Sequence, residues 1–445
     1  MASDLLSIAM SGARAARGAL DVTAQNIANA ASDGYVRRSA RMEEVAAAGG
    51  QLRVGDISLS GVTIAGISRN ADMFRQGEVR RTNSDSARAT AELAGLQNIE
   101  SAVEQAGIFP AIVEFEGALQ QLGSAPVDPS LRAAALAAAE TMANKFDIAA
   151  RSLESVAEGA QFEASAAVDE ANVITAELAR VNVRLARAGA GSSDRASLLD
   201  KRDLMLERLS GIADIDTEFG IDGSVTVRAV NRSGPLLVSG GTPTAMSMTV
   251  AADGRAACQV GGTDVEFGGG SLQGRALVLR EVADMRDRLD GLAGDIATMA
   301  NNAQLAGAAL DGSPGQPMFT GNTAATIELA LTEGSQIATA PAGSPAGSRD
   351  VTVLTQLRSA LEADGVAERM NGILFDISSR VAGHEITTEA LDAIAASARI
   401  ALEQQSGVDL DTEAANLIRF QQAFQASGRA MQVASDIFQS LLGIG

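Results

Sequence analysis

The sequence predicts a mainly α-helical protein with a small β insert, in which the N- and C-terminal helices pair as an antiparallel coiled coil. First, long alanine-rich windows such as residues 132–168 contain no Gly-Pro pair to interrupt a helix. Second, apolar residues recur at heptad spacing at both ends of the chain. Third, short alternating runs separated by glycine pairs occupy about residues 212–275, which is typical of hairpins. The predicted architecture is a helical-bundle body with an all-β domain inserted in the middle.

The composition limits the classes of partner. The chain has 445 residues, 46% of them apolar, which is enough to bury a core in two or three domains. A formal charge of -20 argues against nucleic acid, because phosphates would be repelled. Cys258 is the only cysteine, so no intramolecular disulfide can form. The sequence has no run of 18 apolar residues and no basic segment followed by an apolar block at its start, so we expect no membrane partner and no cleaved signal peptide.

The N-terminal helix is predicted from a seam of small or apolar residues within residues 1–45, the first predicted domain. Alanine dominates this seam, so it is too thin to hold a helix alone in water. The positions step by three and four: Leu6, Ala9, Ala13, Ala16, Leu20, Thr23, Ile27 and Ala30.

A second seam, within residues 406–445, predicts the C-terminal helix. Asp409, Asp411 and Glu413 lie in or before its first turn, where carboxylates suit the helix dipole. If both terminal helices connect to the same body, they pair antiparallel. The seam positions are Leu410, Ala414, Leu417, Gln421, Phe424, Gly428, Met431, Ser435, Phe438 and Leu442.

The body is predicted in two halves around the β domain. Residues 46–211 form the first half, with an extended segment or strand pair over 51–69 and helix breaks near residue 109 and at 123–130. Residues 212–275 form the β domain, with a hairpin turn at "ADGR", and 276–405 form the second helical half.

The sequence offers few groups for catalysis or metal binding. His384 is the only histidine, and its setting favours a surface or cap residue near a helix start. Asp214, Asp216 and Glu218 have calcium-loop spacing, but Phe219 stands where the loop needs glycine, so a solvated turn is favoured. The glycine clusters lack the context of a nucleotide site. We therefore predict no catalytic residues, no cofactor, no metal site and no enzyme activity.

The stretch "QNIANAASDGYVRR", residues 25–38, has two interpretations. In the first, Asn26 and Asn29 cap the end of the helix and Gly34 makes the following turn. In the second, the amides of Gln25, Asn26 and Asn29 also bond to a neighbouring copy and set the register of an assembly.

Particular residues carry a resemblance to a known family. Ala24, Asn26, Ile27, Ala28, Asn29, Gly34 and Tyr35 match a signature that resembles the N-terminus of bacterial flagellar axial proteins, which are the rod, hook and hook-associated proteins. The C-terminal stretch "DLDTEAANLIRFQQAFQASGRAMQVASDIFQSLL" is similar to the hook-associated protein 1 family, the hook–filament junction proteins. The stretches "GVTIAGISRNADMFRQGEVRRTNS", "LQQLGSAPVDPSLRAAALAAAETMANKF" and "LLDKRDLMLERLS" fit the same family in order.

The resemblance implies a structural adaptor whose terminal helices form the inner coiled-coil layer of a tubular assembly. It implies these partners: copies of the same chain, hook protein, the second hook–filament junction protein, and an export chaperone at the C-terminal helix. It also implies type III export without a cleaved signal peptide and an extracellular place in the flagellum. The expected assembly interface comprises Leu6, Ala9, Ala13, Ala16, Leu20, Asn26, Ile27, Asn29, Tyr35, Leu410, Leu417, Phe420, Phe424, Met431, Phe438 and Leu442.

Two alternatives stay open. A distal rod or hook subunit would share the N-terminal signature. A secreted adhesin or enzyme carried on flagellar termini would use the β insert for binding.

Overall fold

The structure is a computed structural model that describes residues 2–46 and 59–442, with side chains described for 5–45 and 61–440. It is 66% helical, and its first and last helices pack together, which confirms the predicted fold class. The helices are α1 (Ala2–Ala28), α2 (Met73–Ala106), α3 (Ile108–Ser124), α4 (Pro129–Leu185), α5 (Ser193–Ile212), α6 (Gly270–Leu305), α7 (Thr352–Asp364), α8 (Val366–Ser406) and α9 (Leu410–Leu442).

The strands form small, separate antiparallel sheets. The first nine strands are β1 (Arg38–Ala46), β2 (Leu59–Arg69), β3 (Ile215–Phe219), β4 (Val225–Ala229), β5 (Leu236–Ser239), β6 (Thr242–Pro243), β7 (Met246–Val250), β8 (Ala256–Val260) and β9 (Thr263–Val265). Four two-residue strands follow: β10 (Gly307–Ala308), β11 (Phe319–Thr320), β12 (Glu328–Leu329) and β13 (Ala340–Pro341). The sheet orders are β1-β2, β3-β4-β5-β6, β7-β8-β9, β10-β13 and β11-β12.

The chain divides into two compact units. The first unit contains residues 1–85, 170–246 and 392–445, and the second contains 86–169 and 247–391. Within the predicted β domain, strands β3 to β6 belong to the first unit, and β8 and β9 to the second. The boundaries of the five predicted domains stay a prediction.

Local sequence signals explain where the long helices begin and end. Asp128 caps α4, because its Oδ1 accepts hydrogen bonds from the backbone N–H groups of Ser130 (2.8 Å) and Leu131 (3.2 Å). Pro129 opens the helix at a position that needs no backbone donor. Gly107, with a φ of 72°, separates α2 from α3. These interruptions confirm the helix breaks that the sequence predicts near residues 109 and 123–130.

In the first unit, α1 and α9 run antiparallel. Asn26, late in α1, contacts Glu413, early in α9, and a Cβ placed on Gly12 would lie 3.0 Å from the hydroxyl of Ser427. The small residues Gly12 and Ser427 therefore allow a close approach of the two helices.

The buried side of α9 differs from the predicted seam. Leu417 and Met431 are half-buried as that seam expects, but Ala414 is exposed. Among the described side chains of α9, Glu413 and Ala434 are the most buried, at 1% and 2% exposure. The apolar pattern missed Glu413 because a carboxylate on the buried side has no apolar signature.

A second face of α1 packs on the hairpin of β1 and β2. The hydroxyl of Ser11 accepts a hydrogen bond from the backbone N–H of Val62 at 3.1 Å, and Gly18 lies against the side chain of Ile64. The sequence analysis predicts no strand before residue 51, yet Arg38–Ala46 is β1. The extended segment predicted over 51–69 is β2 from residue 59 onwards, and residues 51–58 lie outside the described residues.

The second unit is organised around one apolar core formed by parts of α2, α3, α4, α6, α7 and α8. Phe115 and Phe319 meet edge to face there, with ring centroids 6.3 Å apart. A Cβ on Gly95 would overlap the side chain of Val278, so α2 and α6 approach closely. A small residue thus permits this helix contact, while Leu, Ile, Val, Met and Phe side chains make up most of the core.

Candidate functional site

Asn26, near the end of α1, is the centre of a buried polar network. Its side chain is 1% exposed, and its Nδ2 donates to the backbone oxygen of Arg38 (2.8 Å) and to Oε2 of Glu413 (3.1 Å). Its Oδ1 accepts from the hydroxyl of Tyr35 (2.9 Å) and the backbone N–H of Arg38 (3.0 Å). These bonds use both donors and both acceptor positions of a primary amide. In this conformation, Asn26 has no hydrogen bond left for a neighbouring copy.

Asn29 has a different, local role. Its Nδ2 and its backbone N–H both donate to the backbone oxygen of Gln25, at 2.9 Å and 3.0 Å. These bonds close the last turn of α1. The structure confirms the capping interpretation for Asn29, whereas for Asn26 that interpretation is wrong, because its amide bonds to residues outside the helix.

Glu413 joins the start of α9 to the segment that follows α1. Its Oε1 accepts from Nε of Arg37 at 2.7 Å, although the carboxylate is 1% exposed. The backbone N–H of Arg37 donates to the oxygen of Ser406 (2.9 Å), and its oxygen accepts from the N–H of Asn70 (2.9 Å). Segments from both ends of the chain are thereby held together.

Arg38 extends the network to α5. Its guanidinium donates to Oδ2 of Asp200 at 2.7 Å and lies 4.9 Å from the centroid of the Tyr35 ring. Arg69, at the end of β2, donates from Nε to Oδ1 of Asp200 and from Nη2 to Oδ2 of Asp203, both at 2.8 Å. Two arginines from the hairpin are thus bound by two carboxylates that lie three residues apart on one helix.

Burial shapes the electrostatics of this network. Burial raises the pKa of the Asp200 carboxyl, and the charges of Arg69 and Arg38 oppose that shift. Burial also lowers the pKa of Arg202, which donates to Oδ1 of Asp203 at 2.6 Å, and raises the pKa of Tyr35. We define the signature network as Asn26, Tyr35, Arg37, Arg38, Arg69, Asp200, Arg202, Asp203 and Glu413. Its groups are engaged with one another, so the arrangement fastens distant segments together.

Comparison with known proteins identifies the family. The family model for the flagellar hook-associated protein FlgK helical domain matches residues 93–319, which is half of the chain. The chain belongs to the FlgK family of flagellar hook-associated proteins. A second model, for the C-terminal region of flagellar basal body rod FlgEFG proteins, matches residues 402–444 and includes α9.

The relatives of this FlgK-family chain carry matching names. Flagellar hook-associated protein 1 of Escherichia coli (strain K12) is 28% identical over 245 residues, covering 54% of this chain and 44% of that protein. The protein of the same name from Bacillus subtilis (strain 168) is 22% identical and covers 97% of this chain and 96% of its own length. The match to the E. coli protein therefore spans less than half of that relative. A solved structure, the flagellar hook junction protein FlgK from Burkholderia pseudomallei, has a TM-score of 0.49 at 23% identity and covers 54% of this chain and 46% of its own.

The residues predicted for the assembly interface fall into two groups in this FlgK-family chain. The first group is buried or half-buried within the chain: Ala9, Ala13, Ala16, Leu20, Asn26, Asn29, Tyr35, Leu417, Phe420 and Met431. The second group is exposed: Leu6, Ile27, Leu410, Phe424 and Phe438. The side chain of Leu442 lies outside the described residues. The role of both groups between copies stays a prediction.

The sequence analysis missed the partners of the signature residues. It considered Asn26, Tyr35 and Glu413, but it assigned no role to Arg38, Arg69, Asp200 or Asp203. The available signal was the spacing of Asp200 and Asp203, which places two carboxylates on one helical face. No pattern in the sequence pairs that face with arginines more than 130 residues away.

The other residues considered for chemistry lie elsewhere. His384 lies in the interior of α8, so the prediction that it is near a helix start is wrong. Its Nε2 lies 3.7 Å from Oε1 of Glu92. Cys258 is buried in β8, and burial raises the pKa of its thiol. Asp216 and Glu218 belong to β3, where the sequence analysis favoured a solvated turn.

Within residues 2–46 and 59–442, no cluster of three or more His, Cys, Asp or Glu could hold a metal ion. None of the helices over the same ranges combines the length and hydropathy that a membrane span requires.

Gly34 positions the signature tyrosine through a left-handed turn. Its φ is 72°, and an added Cβ would lie 3.2 Å from Cβ of Leu204. Gly34→Ala is therefore expected to lower the free energy of unfolding by roughly 1–2 kcal/mol, measured by urea denaturation. Gly428→Ala is the matched control, because that glycine is helical with open space around it, and it should raise stability by up to about 1 kcal/mol. Effects of the same sign at both positions would contradict this account.

Proposed function

We propose that this FlgK-family chain is a structural subunit of the flagellum that joins hook to filament through its terminal helices. The observation that carries the proposal is the match of the hook-associated helical-domain model over residues 93–319. The exposed apolar side chains on the terminal helix pair agree with it. Such a pair, fastened by the signature network, is a preformed unit for the inner layer of a tubular assembly.

The exposed apolar side chains give the proposal a physical surface. On α9, Leu410 is 54% exposed, Phe438 is 51% exposed and Phe424 is 42% exposed. Leu6 and Ile27 on α1 are 38% and 37% exposed. Large apolar groups that remain in contact with water favour association, because covering them removes apolar area from solvent. We infer that neighbouring copies cover them.

The finer features of the proposal follow from the family. The partners are copies of this chain, hook protein, the second hook–filament junction protein, and an export chaperone at α9. The chain reaches the flagellum by type III export without a cleaved signal peptide and lies outside the cell. A labelled antibody against the chain should mark the point where hook meets filament. Cells without the protein should make hooks and release filament subunits into the medium.

A second candidate is a distal rod or hook subunit. The observation in its favour is the match of the rod-protein C-terminal model over residues 402–444. The antibody experiment separates the two, because a rod subunit would lie below the hook and a hook subunit along its whole length. Loss of hooks in cells without the protein would favour this second candidate.

A charge at the partly exposed Phe424 of α9 should block assembly. Phe424→Asp is expected to be made and exported normally, yet filaments should fail to attach to hooks. The reason is that burying an unpaired carboxylate in an apolar contact is strongly unfavourable in free energy. The measurement is the fraction of hooks that carry filaments in electron micrographs. Gln422→Asp is the control, since it adds the same charge two residues away on the opposite side of the helix, where Gln422 is exposed. Normal filaments on hooks made with Phe424→Asp would exclude this surface from the junction.

A further inference from the structure

The middle of the terminal helix pair is basic. Residues 5–20 of α1 and 417–435 of α9 contain no Asp or Glu, although the whole chain has 55 acidic and 35 basic residues. The close approach of Gly12 and Ser427 places the two stretches side by side. We call their four arginines the basic belt: Arg14, Arg17, Arg419 and Arg429. All four are exposed, and none makes an ion pair within the described residues.

Arg14 and Arg17 form the part of the belt on α1. They lie three residues apart, so their side chains share one face of the helix. Their neighbours Ala13, Ala15 and Ala16 are buried, so the two guanidinium groups mark the solvent side of α1. An exposed cationic face on a chain with a formal charge of -20 fits an anionic partner surface.

The end of the same helix pair carries the opposite charge. Asp33, Glu403 and Asp409 line an open cavity of about 550 Å³, and none of the described residues that line it is basic. The carboxylate of Asp409 is already used, because it accepts hydrogen bonds from Thr412 and from the backbone N–H of Asp411. Asp33 and Glu403 are exposed and have neither an ion pair nor a side-chain hydrogen bond in the described part of the chain. We call these two residues the acidic rim.

The belt and the rim cannot meet within one chain. Roughly 20 Å of helix separates Arg14 from the end of α1 at Ala28, at about 1.5 Å per residue, and Asp33 lies beyond that end. An ion pair requires a separation of about 4 Å or less. Arg208 and Arg399 line an adjoining cavity together with the rim, but Arg399 binds Glu207 instead, and Arg208 makes no ion pair among the described residues. Both surfaces are therefore left without a partner of opposite charge.

We propose that the basic belt of one chain binds the acidic rim of a second copy, with Arg14 and Arg17 on the carboxylates of Asp33 and Glu403. This inference rests on the proposed function, in which copies of the chain are neighbours. Because the two surfaces differ, the contact is head to tail, and each bound pair still has one free belt and one free rim. Such a contact builds a ring or a helical row of copies instead of a closed dimer.

The charges set the offset between neighbouring copies. Exposed ion pairs contribute little to affinity, which the exposed apolar side chains of the helix pair supply instead. If two parallel helix pairs lay side by side without an offset, belt would face belt and like charges would repel. An offset of roughly 20 Å along the helix axis brings the belt of one copy beside the rim of the next. The charge pattern thereby selects one register out of those that apolar contact allows.

Exchange of the charges tests the contact. The belt variant is Arg14→Glu with Arg17→Glu, and the rim variant is Asp33→Arg with Glu403→Arg. Each should lower the fraction of hooks that carry filaments in electron micrographs by at least about tenfold, because like charges then face each other. The chain with all four substitutions should recover that fraction to within about threefold of the unaltered chain, because each pair again has opposite signs.

The matched control is Arg187→Glu with Arg232→Glu. These two arginines of the first unit are exposed and make no ion pair among the described residues, and the change in net charge equals that of the belt variant. The control should keep its filaments. Normal filaments with the belt or rim variant, equal loss in the control, or no recovery in the combined chain would each overturn the inference. Damage to folding cannot mimic the recovery, because it would accumulate in the combined chain instead of cancelling.

A crosslink identifies the occupant without altering any charge. Met10, which is 38% exposed, lies one turn from Arg14 on α1, and the exposed Ala31 lines the cavity of the rim. Cysteines can be introduced by Met10→Cys and Ala31→Cys in a chain with Cys258→Ser, and isolated flagella can be treated with a short bismaleimide. The two positions are too far apart to be joined within one chain.

A ladder of products at multiples of the chain mass supports the inference. A product with another flagellar protein, or no multimer from intact junctions, overturns it. If even the unaltered chain is absent from isolated flagella, the proposed function fails. Its presence there without the ladder defeats this inference alone.

Discussion

Asn26→Leu is expected to lower the free energy of unfolding of the first unit by roughly 3–5 kcal/mol, among the largest effects of any single substitution in that unit. Leucine would leave the backbone groups of Arg38 and one carboxylate oxygen of Glu413 without their partner. Each buried group left unsatisfied costs about 1–3 kcal/mol, and the added apolar area offsets only part of that. Urea denaturation followed by circular dichroism measures the change.

Asn29→Leu is the matched control for this prediction. Both residues are asparagines near the end of α1, but the side chain of Asn29 bonds only to its own helix. Its replacement should cost about 1 kcal/mol or less, the usual effect of a lost cap. Similar losses at the two positions would show that the Asn26 network contributes no more than an ordinary helix end.

Arg132→Met is expected to lower the free energy of unfolding of the second unit by roughly 3–5 kcal/mol. Arg132 lies in the first turn of α4 and is 1% exposed. Its guanidinium donates to the backbone oxygens of Pro126 (2.5 Å), Gly334 (3.1 Å) and Ile337 (2.7 Å). Methionine fills similar space but leaves these carbonyl groups without a donor. The measurement is the same denaturation experiment on the full chain.

Arg151→Met is the control, because Arg151 lies on the same helix, is 79% exposed and forms an ion pair with Asp147 at the surface. It should change stability by less than about 0.5 kcal/mol. If Arg132→Met left the free energy of unfolding unchanged, the desolvation penalty of the guanidinium would equal the stabilisation that its hydrogen bonds provide, which would contradict the prediction.

The terminal helices show how far local patterns reach. Heptad spacing predicted that both ends form helices and pair, and the structure confirms their packing. The same spacing did not place Glu413 on the buried side of α9, because its burial depends on Arg37 and Asn26. The burial of a carboxylate can be predicted only when the residues that bind it are known.

The sequence by itself determined the helical character, the two helix breaks and the family. The helical character and the breaks follow from alanine content, from the proline-containing stretch near residue 109 and from the Asp128-Pro129 start of α4. The family follows from short motifs, each contained in one stretch of the chain. Only the tertiary structure decided the partners of the signature residues. Asn26 meets Glu413 across 387 residues and Arg38 meets Asp200 across 162. Helix propensity and capping act between near neighbours, whereas the partner of a buried polar group depends on which distant segments the fold brings within hydrogen-bonding distance.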